Sequence, residues 1–155
     1  MGLWRKEKFI KVIHLSGTAT GGSGDSYDSP LPFVDGDLMA IPADCIIEKA
    51  YAIIDVAITG TTVLEVGDDD DADGFIVDIA AGFATPGMYG YSAKVAGAYL
   101  RTQTAGGTDA ADIDVVPNAK YYAAAGKEVK LNITTANTAG KCRIVLEGFL
   151  LQYVA

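Results

Sequence analysis

The chain has 155 residues, enough for one domain that buries a core of its own. Half of its residues are hydrophobic, 21% are charged, and the net charge is −8. This acidic balance argues against nucleic acid as the main partner, because phosphate binding needs a basic surface. No apolar run approaches the roughly 18 residues that a membrane-spanning helix needs, so we expect no membrane partner either.

Positive charge is concentrated at the N-terminus. Four basic residues against one Glu give the first eleven residues a net charge of +3, which leaves −11 for the rest of the chain. Trp and Arg are the residues most enriched among the energetic centres of protein interfaces. We therefore predict an extended N-terminal arm that binds a partner through a cluster of four residues, Trp4, Arg5, Lys6 and Lys8.

The first thirty residues contain two further segments with different composition. Lys8–Leu15 alternates in the manner of a strand, and Ser16–Pro30 is rich in Gly and Ser, the composition of a flexible linker. This pattern divides the chain into residues 1–30, a basic arm with a Gly/Ser-rich segment, and residues 31–155, a β-sandwich domain.

The domain is predicted to consist of strands. Cys45–Ile58 is dominated by β-branched residues, which favours a long strand, and Gly60-Thr61 turns it back into a second strand. Ile79–Ala84 is predicted as a short helical turn. Further strands are predicted at Tyr99–Thr102, Ile113–Val116, Tyr121–Ala124, Glu128–Thr134 and Cys142–Val154. About eight strands at short spacing, without a long amphipathic helix, predict an all-β fold, an antiparallel β-sandwich or barrel.

The predicted last strand is apolar on both faces. Such a strand lies either in the centre of a sheet or in a subunit interface. We therefore add Phe149 and Leu151 to the predicted interface residues. Cys45 and Cys142 are the only cysteines, and we expect both to be buried, reduced thiols.

An acidic loop, bounded by Gly67 and Gly74, is the sharpest local feature. Asp69-x-Asp71-x-Asp73-Gly74 matches the opening of a calcium-binding loop, but its twelfth position, where a bidentate Glu belongs, is Ala80. We therefore expect no metal or cofactor, and we interpret Asp68–Asp73 as a solvent-facing turn. Calcium binding by Asp69, Asp71 and Asp73 is the alternative.

Catalysis is not expected. His14 is the only histidine, which removes multi-histidine metal sites and gives no support to a serine–histidine triad. The eight tyrosines leave sugar binding open, because aromatic rings stack on sugar rings. The candidates lie close together in sequence: Tyr89, Tyr91 and Tyr99, then Tyr121 and Tyr122.

The long strand, the TTVLEVGDDDDADGFI stretch and the closing RIVLEGFLLQY strand together resemble small structural proteins of tailed bacteriophages. More narrowly, the chain resembles capsid decoration, or cement, proteins with a jelly-roll β-sandwich. The resemblance covers about Ile46–Gln152 and is strongest at Thr62–Ile76. No family site residue can be matched beyond the loop bounded by the two glycines.

This resemblance implies a virion protein on the outer surface of a phage capsid, made in the cytoplasm of the bacterial host. It implies a homotrimer that bridges subunits of the major capsid protein and stabilises the shell. The alternative is a tail- or fibre-associated β-sandwich module that binds carbohydrate through the tyrosines.

Overall fold

A computed structural model describes residues 3–17, 30–33, 36–59, 64–77, 85–89, 99–103, 115–133 and 139–154. These residues contain ten strands: β1 (Leu3–Ser16), β2 (Gly36–Ala40), β3 (Cys45–Thr59), β4 (Leu64–Gly67), β5 (Gly87–Tyr89), β6 (Arg101–Gln103), β7 (Val115–Pro117), β8 (Lys120–Tyr122), β9 (Glu128–Ile133) and β10 (Ala139–Val154). Within the described ranges, no helix has the length and apolar character needed to cross a membrane.

The larger sheet is built on three long strands. Its order is β1-β10-β3-β5, all antiparallel, and β8 pairs with the first residues of β3. β10 lies between β1 and β3 for most of its length, so it is a central strand of the larger sheet. Of the two positions predicted for the last strand, the centre of a sheet or a subunit interface, the structure shows the first.

The smaller sheet has the order β2-β9-β4, and β6 and β7 form a separate pair. Alternate side chains of β9, Val129, Leu131 and Ile133, are buried in one hydrophobic core together with residues of the larger sheet. Two antiparallel sheets around a shared core confirm the predicted all-β sandwich.

The segment predicted as an arm is the edge strand of the larger sheet. β1 pairs with β10 over fourteen consecutive residues, from Leu3 opposite Val154 to Ser16 opposite Lys141. Ile13 and Leu15, near its end, are fully buried in the core. β1 therefore begins five residues before the predicted Lys8–Leu15 strand, because the ladder with β10 extends it. The Gly/Ser-rich segment lies largely outside the described residues, and the predicted helical turn at Ile79–Ala84 lies wholly outside them.

Candidate functional site

The acidic loop, Asp68–Asp73, follows β4 and folds back on itself. The Asp68 amide donates to the Asp71 carbonyl over 2.9 Å, and the Gly74 amide donates to the same carbonyl over 3.2 Å. A Cβ atom at Gly67 would overlap that carbonyl oxygen, so only glycine fits where the loop closes on the strand.

Asp68 lies inside the protein, with 3% of its surface exposed. Its Oδ1 accepts hydrogen bonds from the Tyr99 hydroxyl at 2.7 Å and from the amides of Asp70 and Asp71 at 2.9 and 3.1 Å. Its Oδ2 accepts a hydrogen bond from the Tyr122 hydroxyl at 2.6 Å. The prediction that the whole loop faces solvent is therefore wrong for Asp68, because four donors replace the water it gives up.

The same contacts set the ionisation of the cluster. Burial alone would raise the pKa of Asp68, but the hydrogen bonds from Tyr122, Tyr99 and the two amides outweigh it and lower that pKa. Burial raises the pKa values of Tyr99 and Tyr122, and the hydrogen bonds to Asp68 raise them further. These contacts favour the ionised carboxylate and the protonated phenols, an arrangement that fixes the loop.

The outer carboxylates of the loop are only partly matched by cations. Asp69 contacts Lys130 and Asp70 contacts Lys127, each with a 2.6 Å separation between carboxylate oxygen and Nζ. A hydrogen bond to the Asp73 carboxyl, followed by burial and the Asp73 charge, raises the pKa of Asp71. A second carboxyl pair lies between Asp37 and Glu128, where the hydrogen bond to Asp37 is the main cause that raises the pKa of Glu128.

No group of three or more His, Cys, Asp or Glu side chains within the described ranges is placed to hold a metal ion. Asp69, one of the three proposed calcium ligands, has its carboxylate against Lys130. Calcium binding by Asp69, Asp71 and Asp73 stays a prediction without geometric support in this part of the chain.

Four of the six predicted interface residues, Trp4, Arg5, Lys6 and Leu151, lie on a feature that we call the terminal ribbon, Leu3–Lys6 paired with Leu151–Val154. The other two, Lys8 and Phe149, pair with each other two residues further along the same strands. The ladder between β10 and β3 ends at Leu150 opposite Cys45, and beyond the Leu151 amide, which bonds to the Asp44 carbonyl, β1 is the only described strand partner of β10. Four residues at about 3.3 Å each carry the ribbon about 13 Å past the end of β3.

Large apolar side chains on the terminal ribbon are exposed to solvent. Leu3, Trp4, Tyr153 and Val154 have 73%, 62%, 60% and 51% of their surface exposed. Trp4 packs edge-on against Tyr153, with a distance of 5.5 Å between ring centroids. Exposed apolar residues gathered at one point mark an interaction surface more clearly than single ones do.

The basic residues surround this apolar tip. Lys6 Nζ lies 3.2 Å from the centroid of the Phe149 ring and 4.0 Å from the Glu48 carboxylate. Arg5 and Lys8 are exposed, and neither forms an ion pair within the part of the chain that the structure describes. The structure thus brings all six predicted interface residues together at this end of β1 and β10, with Leu151, which donates its amide to the Asp44 carbonyl over 2.8 Å, at the base of the ribbon.

The terminal ribbon and the acidic loop lie at the same end of the sandwich. Cys45 is paired with Leu150 at the base of the ribbon and with Tyr122 of β8. The Tyr122 hydroxyl in turn donates to Asp68 of the loop. The basic ribbon and the acidic loop are therefore found at one end of the fold, with β10 and β3 between β1 and β8.

Sequence reasoning missed the partners of the acidic loop. Tyr99 and Tyr122 were candidates for sugar stacking or for packing in the core or an interface, and neither interpretation predicts that their hydroxyls bind Asp68, which lies 31 and 54 residues earlier in the chain. No local spacing signals such a contact. Cys45 and Cys142 are buried free thiols, as predicted, and burial raises the pKa of Cys45 to about 11.

Comparison with known proteins identifies one informative likeness. No protein-family model matches the chain, and no curated protein matches it. Among solved structures, the chain is similar to a chain in the acidic stable capsid structure of Helicobacter pylori bacteriophage KHP30, with a TM-score of 0.51 and 14% sequence identity. The match covers 100% of this chain and 99% of that chain. At this identity, the likeness shows a shared fold.

Proposed function

We propose that this chain is a structural virion protein that decorates and stabilises a phage capsid as a homotrimer bridging subunits of the major capsid protein. The observation that carries the proposal is the end-to-end likeness to a chain of a phage capsid. The residue patterns that resemble decoration proteins support the finer assignment to the outer surface of the shell.

The proposed mechanism is mechanical and needs neither catalysis nor a cofactor. A protein that binds the assembled shell, but not the dissociated subunits, stabilises the shell by mass action. A trimer that touches several subunits at once makes its contacts at high effective concentration, so contacts that are individually weak hold together. The exposed apolar tip of the terminal ribbon supplies a surface for contact with the shell or a neighbouring copy.

We do not propose the sugar-binding alternative. The Tyr99 and Tyr122 hydroxyls are bound to Asp68, and the Tyr99 ring has Lys120 Nζ 3.8 Å from its centroid. Tyr91 lies outside the described residues.

The proposal is tested on particles of the virus that encodes the chain. We expect the chain in purified particles, and we expect particles made without it to expose their DNA to an intercalating dye at a lower temperature. Adding the purified chain back restores the original temperature, whereas an unrelated acidic protein does not. Absence of the chain from the particles, or an unchanged release temperature without it, would overturn the proposal.

A further inference from the structure

The terminal ribbon is the feature that suggests self-assembly. No other described part of the chain covers its apolar tip. A two-stranded ribbon alone is marginally stable in water, since neither face is covered. Leu3, Trp4, Tyr153 and Val154 nevertheless lie on this projecting pair of strands. A partner that covers them would remove apolar surface from water and hold the ribbon in place.

A second ribbon is the wrong partner. Two copies that paired their ribbons across a twofold axis would bring Arg5, Lys6 and Lys8 of both copies together. Like charges on facing strands are destabilising, and basic residues on an edge strand are a known obstacle to edge-to-edge pairing. The ribbon therefore needs an acidic surface.

Such a surface lies at the same end of this chain. We define the acidic end as two contacting carboxyl pairs, Asp71 with Asp73 and Asp37 with Glu128. Lys130 lies 3.3 Å from Asp37 and 2.6 Å from Asp69, whereas Asp71, Asp73 and Glu128 form no ion pair within the described residues. Carboxylates therefore outnumber the cations that contact them at this end, and a cation from outside the chain would reduce their mutual repulsion.

We propose that the terminal ribbon of one copy binds the acidic end of a second copy of this chain, with Lys6 and Lys8, which lie on the same face of β1 as Trp4, directed at the carboxyl pairs and with Trp4 and Tyr153 covered by the contact. This inference rests on the proposed function only for the number of copies, three. The contact is heterologous, because it joins two different surfaces.

The position of the two surfaces decides the kind of assembly. Heterologous contacts form closed rings or open filaments, depending on whether the rotation closes. The ribbon and the acidic end lie at the same end of the sandwich. If the copies are related by rotation about an axis parallel to the strands, the ribbon of one copy and the acidic end of the next have the same position along that axis. A contact between opposite ends would instead stack copies lengthwise. The geometry therefore favours a ring.

The test is the mass of the full chain in solution by sedimentation velocity. Wild-type protein is expected to form a ring of three copies. Lys6→Glu with Lys8→Glu, and separately Asp71→Lys with Asp73→Lys, should each weaken association about tenfold or more. The four substitutions combined restore opposite charges across the contact and should restore the ring. Far-UV circular dichroism confirms that each variant is folded.

The apolar part of the contact is tested by Trp4→Ala with Tyr153→Ala, which should also release monomers. Met88→Ala is the matched control, since Met88 is equally exposed but lies on β5, outside the ribbon. A monomeric wild-type protein, unchanged association after either charge reversal, or no recovery in the combined variant would each overturn the inference.

A measurement on the wild-type chain avoids substitutions altogether. Copies with natural and heavy nitrogen isotopes are mixed, and a carbodiimide joins amines to carboxyl groups that touch. Cross-links of Lys8 to Asp71 or Asp73 should join peptides of different isotope content. Cross-links within single copies only would contradict the proposal. These experiments contain no capsid, so they test this inference separately from the proposed function. A ring that does not bind capsids would contradict the proposed function but not this inference. A monomer that binds capsids would contradict only this inference.

Discussion

The carboxylate of Asp68 connects three parts of the chain that are distant in sequence. It holds the acidic loop through two amides, β8 through Tyr122, and the turn after residue 98 through Tyr99. Phe75, fully buried, packs edge-on against the Tyr99 ring at 5.3 Å between centroids, so the polar cluster adjoins the core. Buried polar clusters of this kind are costly to disrupt, because every donor depends on one acceptor.

We therefore predict that Asp68→Asn lowers the free energy of unfolding by about 2–3 kcal/mol at neutral pH, since the amide leaves donors facing donors. The folded-state pKa of Asp68 is lowered, so its stabilising contribution is present above the ordinary Asp pKa of about 3.9 and is lost as the pH falls through the folded value. Urea unfolding of both proteins at neutral and acidic pH checks this. A difference that stays constant with pH would contradict it.

The Asp71–Asp73 pair should have the opposite effect from Asp68 on how the stability of the fold changes with pH. The folded-state pKa of Asp71 is raised, so the folded state binds the proton more tightly and this pair stabilises the fold as the pH falls from neutral through that value. Asp71→Asn removes the repulsion and should raise the stability at neutral pH by about 0.5 kcal/mol or less, because solvent screens the pair. Thermal melts compare it with Asp70→Asn, which loses a contact to Lys127 and should not gain stability.

At the scale of elements, β1 has two halves with different roles. Its first residues form the exposed terminal ribbon, whereas Ile13 and Leu15 are fully buried and its last residues bond to Leu31. The Ser16 amide donates to the Leu31 carbonyl over 2.9 Å, and the Leu31 amide donates to the His14 carbonyl over 2.9 Å. The same strand therefore contributes both an exposed apolar surface and part of the core.

Truncation separates these roles. Removal of residues 1–6 should leave a cooperatively folding protein, because only exposed side chains of β1 are lost. Ile13→Ala, by contrast, should cost about 2–5 kcal/mol, since it leaves a cavity in the core. Circular dichroism melts of the two proteins check the prediction. A larger loss of stability from the truncation than from Ile13→Ala would show that the ribbon supports the fold of its own chain.

At the scale of the whole molecule, the sequence predicts those strands well whose own residues show the composition and alternation of a strand. Cys45–Ile58 was predicted almost to the residue of β3, because β-branched residues and alternation act within the segment. The start of β1 was missed, because Leu3–Glu7 is exposed and joins the sheet only through pairing with the far end of the chain.

In the candidate site, too, some features could be predicted from the sequence and others could not. Trp4 and its basic neighbours were found from residue type, and the structure places them on an exposed ribbon. The burial of Asp68 could not be predicted, since Tyr99 and Tyr122 reach it only in the folded sandwich. Contacts across tens of residues depend on topology, which neither composition nor spacing encodes.

The place of β10 between β1 and β3 has a consequence for synthesis. β1 is made first among the described strands and β10 last, yet β10 separates β1 from β3 in the finished sheet. The ribosome therefore releases most of the chain before the larger sheet can close, and pairings between distant residues are slow to form. Until then β1 has no ladder partner in that sheet, so the nascent chain carries an open apolar and basic edge through most of its elongation.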